Sequence, residues 1–196
     1  MKEVLNLISY NMPHIDLSPE LPGIRALASY RPDTGKPLYE LAQVLLRGGD
    51  SPLSEAEREL IAAYVSYLNQ CTFCYSSHAA AARYLFKQDA ELVDLTLNDL
   101  ENAPLSDKLK ALLRIAAKVQ QDARSVSPED VEIARSFGAN DRDIHDTVLI
   151  SATFCMFNRY VDGLATNTPA ADELGIWATM GERMGTIGYV PPSPTK

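Results

Sequence analysis

Apolar residues recur with helical spacing along most of this chain, and most of the runs open on a residue able to cap a helix. Ser54-x-x-Glu57 has capping-box spacing: the Ser54 hydroxyl can accept from the Glu57 amide while the Glu57 carboxylate reaches back. Behind it, Leu60, Ile61, Tyr64, Val65 and Leu68 form one stripe, and Asn69-Gln70 offers a stop. A further helix is expected over about 72–86. Asp89 is expected to cap residues 90–97, and Ser106 to cap 107–121 with Leu109, Leu112, Leu113, Ala116 and Val119 inward. Ser127-Pro128-Glu129-Asp130 reads as a helix start matched by Gly138, and Asn140 or Asp141 opens a last long helix to about Leu164. Upstream, Pro37 suits the first position of a helix running to Arg47, with Gly48-Gly49 as its C′ end. No run alternates with period two, so the predicted fold class is all-α.

A length of 196 residues suits a single domain spanning 1–196. Residues 1–36, rich in Pro, Ser and Asp, read as an arm with one or two short helices, wrapped on a neighbour or on its own core. From about 167 to 196 the chain reads as a glycine- and proline-rich tail with a short helix around Ile176 to Met184. A faint echo relates 54–86 to 127–164 without amounting to a repeat.

The formal net charge of -8 provides no basic footprint, so neither nucleic acid nor an anionic membrane surface is an expected partner. The longest apolar stretch, Val148 to Phe157, is broken by Ser151 and Thr153 and is too short to span a membrane. Met1 to Pro13 has no apolar h-region. A cytoplasmic location is therefore expected.

Chemistry concentrates in Cys71-x-x-Cys74 followed by His78. In a reducing compartment a close cysteine pair is more often catalytic or metal-binding than structural. Residues three apart on a helix share a face, so two thiols at a helix start can close a short disulfide. His78, four residues beyond Cys74, lies on the same face one turn along and can stabilise a thiolate. Glu59 is the candidate fourth member. On one straight helix it would stand roughly 18 Å from Cys71, so the two can meet only if the chain turns back near Asn69-Gln70. The helix dipole favours a thiolate at Cys71, and His78 favours one at Cys74. Cys155 reads as buried and apolar, His14 and His145 as surface or structural residues, and Tyr64, Tyr67, Tyr75 and Phe73 as packing for the helix pair.

The pattern Glu59-x11-Cys71-x2-Cys74-x3-His78, with the lead-in Leu53-Ser54-Glu55-Ala56-Glu57-Arg58-Glu59-Leu60, resembles the core of the AhpD-like alkylhydroperoxidases of the carboxymuconolactone decarboxylase superfamily. The resemblance covers residues 38–122 well and the last long helix loosely, and the arm and tail resemble the peroxidase-related branch. It implies an AhpD-like helical domain in which an antiparallel helix pair carries the CxxC at the start of its second helix. It further implies that Cys74 is the peroxidatic cysteine, Cys71 the resolving one, and His78 with Glu59 a proton relay. Some members carry a His between the cysteines; here that position is Phe73, so a relay through it is absent. Asn158-Arg159 resembles a common family feature, read as a structural or subunit contact.

The expected activity is reduction of a small organic hydroperoxide, with reopening of the disulfide by an external dithiol, thioredoxin-like or lipoyl-type. No GxGxxG or P-loop is present, so no nucleotide cofactor is expected, and neither flavin nor metal. Two alternatives differ in class. One is a thiol–disulfide adaptor with little peroxidase activity. The other is a zinc-stapled binding protein using Cys71, Cys74 and His78 with Glu59 or Cys155. The apolar surface of helix 144–161 exceeds what one face needs, which predicts a homo-oligomer.

Overall fold

The computed structural model describes residues 12–170 and 175–191. Among them the secondary structure is helical, without strands: α1 (Ile24–Tyr30), α2 (Pro32–Arg47), α3 (Glu55–Leu68), α4 (Thr72–Phe86), α5 (Glu91–Asn98), α6 (Asp107–Asp122), α7 (Pro128–Ser136), α8 (Asp141–Gly163) and α9 (Ile176–Ile187). No helix among the described residues is long and apolar enough to cross a membrane.

Local capping chemistry sets many of these boundaries. Ser54, Ser106, Ser127 and Asn140 each accept from amides of the first turn of the helix they precede, and the boxes at Ser54, Ser127 and Asn140 are closed by the returning Glu57, Asp130 and Asp143.

Other boundaries differ from the sequence reading. The second helix begins at Pro32, which takes the first-turn position expected of Pro37, and Pro37 lies inside the helix. The Thr34 and Gly35 amides already bond back to the Arg31 carbonyl, so the helix is nucleated before Pro37 is reached. Gly35 is retained there because α1 crosses so closely that a Cβ would lie 2.6 Å from the Ala28 backbone. Gly48 does end α2, but with extended backbone (φ -61°, ψ 140°) in place of a left-handed C′ glycine. The buried Arg58 guanidinium donates to the carbonyls of Leu45 (3.1 Å) and Gly48 (2.8 Å), satisfying acceptors that a left-handed cap would otherwise serve. Asp89 caps nothing: it lies in a 3-10 turn whose geometry runs straight into α5, so it never adopts the extended conformation an N-cap needs.

The helices α3 and α4 form a hairpin and make the most extensive helix–helix contact among the described residues, with α6 and α8 packed behind α3. The main core holds Leu60, Ile61 and Val65 of α3, Leu112, Leu113 and Ile115 of α6, and Ile150 and Phe154 of α8, each no more than 1% exposed. Side chains of this size each contribute about 1.5–3 kcal/mol on full burial. Cys155 stands at the edge of the α8 stripe and is half-buried, not fully buried as its apolar neighbours suggested; its sulfur accepts from Asn69 at 3.6 Å. Asn158 is buried and internal, bonding Ser66 (3.0 Å) and Asn69 (2.7 Å) and so tying α8 to the hairpin.

A second apolar cluster contains Leu17, Leu27, Cys71, Phe73, Cys74 and Val161, with Trp177 and Met180 against it. The arm reaches this cluster through two backbone bonds, His14 N–H to the Leu164 carbonyl (3.0 Å) and Gly23 N–H to the Asn167 carbonyl (2.9 Å). The described part of the arm therefore packs on its own chain; residues 1–11 of it, and 171–174 and 192–196 of the expected tail, lie outside the described residues. From the other side, α9 lies along the Ala79–Ala82 run of α4 so closely that a Cβ at Gly181 would stand 2.5 Å from the Ala80 backbone. The short helix expected within the tail is thus present as α9, and it docks on α4 over the dithiol.

Candidate functional site

The α3–α4 turn builds the site. Asn69 remains helical, Gln70 takes a left-handed conformation (φ 60°), and Cys71 is extended as the N-cap of α4. The Cys71 amide donates to the Ser66 carbonyl at 3.1 Å, closing the reversal. This lays Glu59 of α3 beside His78 of α4, with His78 Nδ1 2.7 Å from Glu59 Oε2.

Glu59 is fully buried. Its second oxygen accepts from Arg47 Nη2 (2.6 Å) and from the Tyr189 hydroxyl (2.5 Å). Burial alone would raise the Glu59 pKa. The charge and hydrogen bond of His78, then Arg47 and Tyr189, outweigh it and hold the carboxyl below its ordinary range. Arg47 mirrors this: burial disfavours its charge, but Glu59 wins and its pKa rises. Burial and the Glu59 charge push the Tyr189 phenol well up, so it stays a donor.

An ionised carboxylate only accepts hydrogen bonds. His78 Nδ1 must therefore carry the proton facing Glu59, and in the neutral ring Nε2 is left with its lone pair. The ring is held in place by Phe154, edge-on at 4.5 Å between centroids, and by Tyr189, nearly parallel at 5.9 Å.

Cys74 and His78 line one cavity of about 340 Å³, together with Phe73, Phe154, Tyr189 and the inner face of α9; Cys71 does not line it. Cys71 has no exposed surface, and its sulfur makes no capping bond to the helix amides. Hydrogen bonding to Cys74, burial, and the charges of Cys74 and Asp162 push the Cys71 thiol far up. Ionisation of Cys71 is thus opposed by its surroundings. The helix-dipole argument for a Cys71 thiolate is outweighed here by the burial and the neighbouring negative charge.

Phe73, between the two cysteines, packs against Trp177 at 6.0 Å between centroids. Tyr67 and Tyr75 meet edge-to-face at 5.6 Å across the hairpin. His145 is bonded to Asp146 at 2.9 Å on α8, away from the dithiol. Among the described residues no three His, Cys, Asp or Glu side chains stand together in a way that could hold a metal ion.

Two members of the site were not found from the sequence. Arg47 entered the sequence reading only as the last residue of a helix, and Tyr189 lay in the expected tail. Their signal is three-dimensional: α9 docks on α4, its Met184 carbonyl accepts from Arg47 Nη2 (2.9 Å), and Tyr189 follows directly onto Glu59.

The carboxymuconolactone decarboxylase family pattern matches residues 32–97, from the start of α2 into α5. No curated protein matches the chain. Among solved structures, a peroxidase-related protein of Silicibacter sp. TM1040 shares 31% of its sequence over 80% of both chains, with a TM-score of 0.71. The chain belongs to the carboxymuconolactone decarboxylase superfamily, in its AhpD-like, peroxidase-related branch. This AhpD-like protein is also similar to a peroxidase-related protein of Ralstonia eutropha JMP134, described as an alkylhydroperoxidase AhpD core (27% identity, TM-score 0.71, 87% of this chain and 83% of that one). An AhpD-type protein of unknown function from Agrobacterium tumefaciens shares the fold at 20% identity (TM-score 0.64, 81% and 99% coverage). The AhpD-like protein shares this helical fold, and its own CxxC stands at the start of α4, the second helix of the hairpin.

Proposed function

We propose that this protein reduces small organic hydroperoxides through a Cys71/Cys74 dithiol–disulfide cycle. The observation that carries the reading is the division of labour around the cavity. Cys74 and His78 face it, His78 is fixed by an ionised buried carboxylate, and Cys71 waits behind Cys74 with its proton.

The Cys74 thiolate attacks the terminal peroxide oxygen. An S–O bond forms, the O–O bond breaks, and the alkoxide leaves as the alcohol with a proton delivered through His78 and Glu59. Cys74 is then a sulfenic acid. Cys71 gives up its proton to the relay and attacks the Cys74 sulfur; the S–S bond forms and hydroxide leaves as water. An external dithiol reopens the bridge by exchange and is itself oxidised to a disulfide. Because both sulfurs are buried, a small or arm-borne dithiol of lipoyl type suits the cavity better than a protein-borne pair. The same burial disfavours the adaptor reading, in which partner proteins exchange with an exposed cysteine.

The exposed Leu149 and Met156 on α8 and Tyr67 on α3 support assembly into a homo-oligomer. The functional test is organic hydroperoxide consumption in the presence of several dithiols, wild type against Cys74→Ser. Wild-type consumption well above the variant supports the peroxidase. Equal rates with every reductant would remove it in favour of the adaptor.

A further inference from the structure

Three charged or phenolic side chains of the cavity take no part in the chemistry described. They are Arg25 of α1, Tyr39 of α2 and Arg183 of α9. Apart from Thr179, the other wall residues contributed by these helices are apolar, among them Ile24, Leu38 and Met180, while the thiol and imidazole come from α4. In a chain of net charge -8, two guanidiniums on one cavity stand out. The other arginines near this region have acids: Arg31 pairs with Asp33 and Arg47 with Glu59. Among the described residues neither Arg25 nor Arg183 makes a salt bridge, and no Asp or Glu lines the cavity.

Tyr39 adds a second, independent feature. It is nine-tenths buried, yet among the described residues its hydroxyl has no hydrogen-bond partner within the protein. The hydroxyl is not sealed, so it opens onto the cavity, where an acceptor on a ligand can reach it. Burial pushes its pKa up to about 12, and the charges of Arg25 and Arg183 hold it back from rising further. Both guanidiniums therefore act within the field of the same hydroxyl. A phenol donor with two cations on the same cavity, the half-buried Arg25 and the exposed Arg183, offers charge-assisted recognition of a compact oxyanion at the open side of an otherwise apolar space.

We infer that the hydroperoxide substrate carries a carboxylate, held by Arg25, Tyr39 and Arg183, while its apolar chain occupies the cavity and its peroxide group reaches Cys74. The substrate class is an acyl-chain hydroperoxide, amphipathic and anionic, in preference to a neutral alkyl hydroperoxide. The inference rests on the peroxidase reading for the substrate's reactive end, but its anion site stands on the cavity itself.

Two measurements keep the two readings separate. The first needs no turnover. Decanoate and its methyl ester are compared for slowing alkylation of Cys74 by iodoacetamide in a Cys71→Ser, Cys155→Ser background. Decanoate should protect at concentrations about ten- to a hundredfold below the ester, the range expected of charge-assisted hydrogen bonds. Arg25→Gln, Arg183→Gln and Tyr39→Phe should each shrink that difference, and Arg25→Gln with Arg183→Gln should erase it. Equal protection by acid and ester, or none by either, overturns the anion site whatever the peroxidase result. The second compares kcat/KM for a fatty-acid hydroperoxide and its methyl ester. An acid-to-ester ratio of about ten or more that falls towards one in the double-arginine variant supports the inference, and a ratio near one in the wild type overturns it. Protection by decanoate together with no reduction of either peroxide would overturn the peroxidase reading and leave the anion site in place.

Discussion

Cys74→Ser is expected to lose peroxide reduction by at least about a hundredfold, to the uncatalysed background, whereas Cys71→Ser should react once per chain and then stop. The difference follows from where the two sulfurs sit. Cys74 lines the cavity beside His78; Cys71 is sealed behind it, with its proton held against Cys74 and its ionisation opposed by burial and by Asp162. In Cys71→Ser the sulfenic acid formed on Cys74 has no resolving thiol, so a sulfenic-acid probe added with peroxide should label Cys74 almost stoichiometrically. In Cys74→Ser the same probe should leave Cys71 unlabelled. Labelling of Cys71 in the absence of Cys74, with none on Cys74 alone, would reverse the assignment of the two roles.

Loss of the Glu59 charge should be the most damaging polar change to the fold. Glu59→Gln leaves Arg47, whose side chain is 6% exposed, without its counter-ion, and removes the anion that orients His78. Removing one member of a buried ion pair costs about 3–5 kcal/mol, which for a chain of this size lowers Tm by roughly 10 °C. Tyr189→Phe should cost less, about 1.5–3 kcal/mol for a hydrogen bond to a charged group, because the ring can still stack on His78. The pH dependence has a definite sign. Folding depresses the Glu59 pKa, so the unfolded chain binds more protons in acid, and the stabilisation present above the ordinary value near 4.5 is lost as pH falls through the folded value. Wild type should therefore lose stability more steeply than Glu59→Gln below about pH 4.5, and the gap between them should narrow. Denaturation midpoints across pH check this; a gap that is constant with pH, or a Glu59→Gln protein as stable as wild type at neutral pH, would show that the carboxylate is not ionised and paired in the way described.

Local signals account for much of what the sequence revealed. The cap residues Ser54, Ser106, Ser127 and Asn140 act within one turn of backbone, so their meaning survives any tertiary arrangement. The hairpin that joins Glu59 to His78 was legible because the Asn69-Gln70 break separates two stripes of similar length. What stayed hidden depends on distant partners. Pro32-Asp33-Thr34-Gly35 has loop composition, yet it is helical because the Thr34 and Gly35 amides bond back to the Arg31 carbonyl, and Gly35 leaves room for α1 to cross. Asp89 is a good cap by type, but the tight exit from α4 leaves it no room to act as one. The role of Arg58 in ending α2 spans 13 residues back to Leu45 and has no periodic trace. Tyr189 is 130 residues from Glu59, and its segment is short, glycine-flanked and weakly patterned, so only the docking of α9 on the Ala79–Ala82 surface gives it meaning.

The most direct measurement is mass-spectrometric mapping of the reduced protein after one equivalent of an organic hydroperoxide. Both site cysteines lie within the segment between Arg58 and Arg83, so an internal disulfide appears as the loss of two hydrogens from a single tryptic peptide. The proposed cycle predicts that nearly all of that peptide carries the Cys71–Cys74 bridge, with the alcohol released in equal amount and Cys155 still alkylatable. A protein that leaves both thiols free, or that accumulates over-oxidised Cys74 without any bridge, would contradict it.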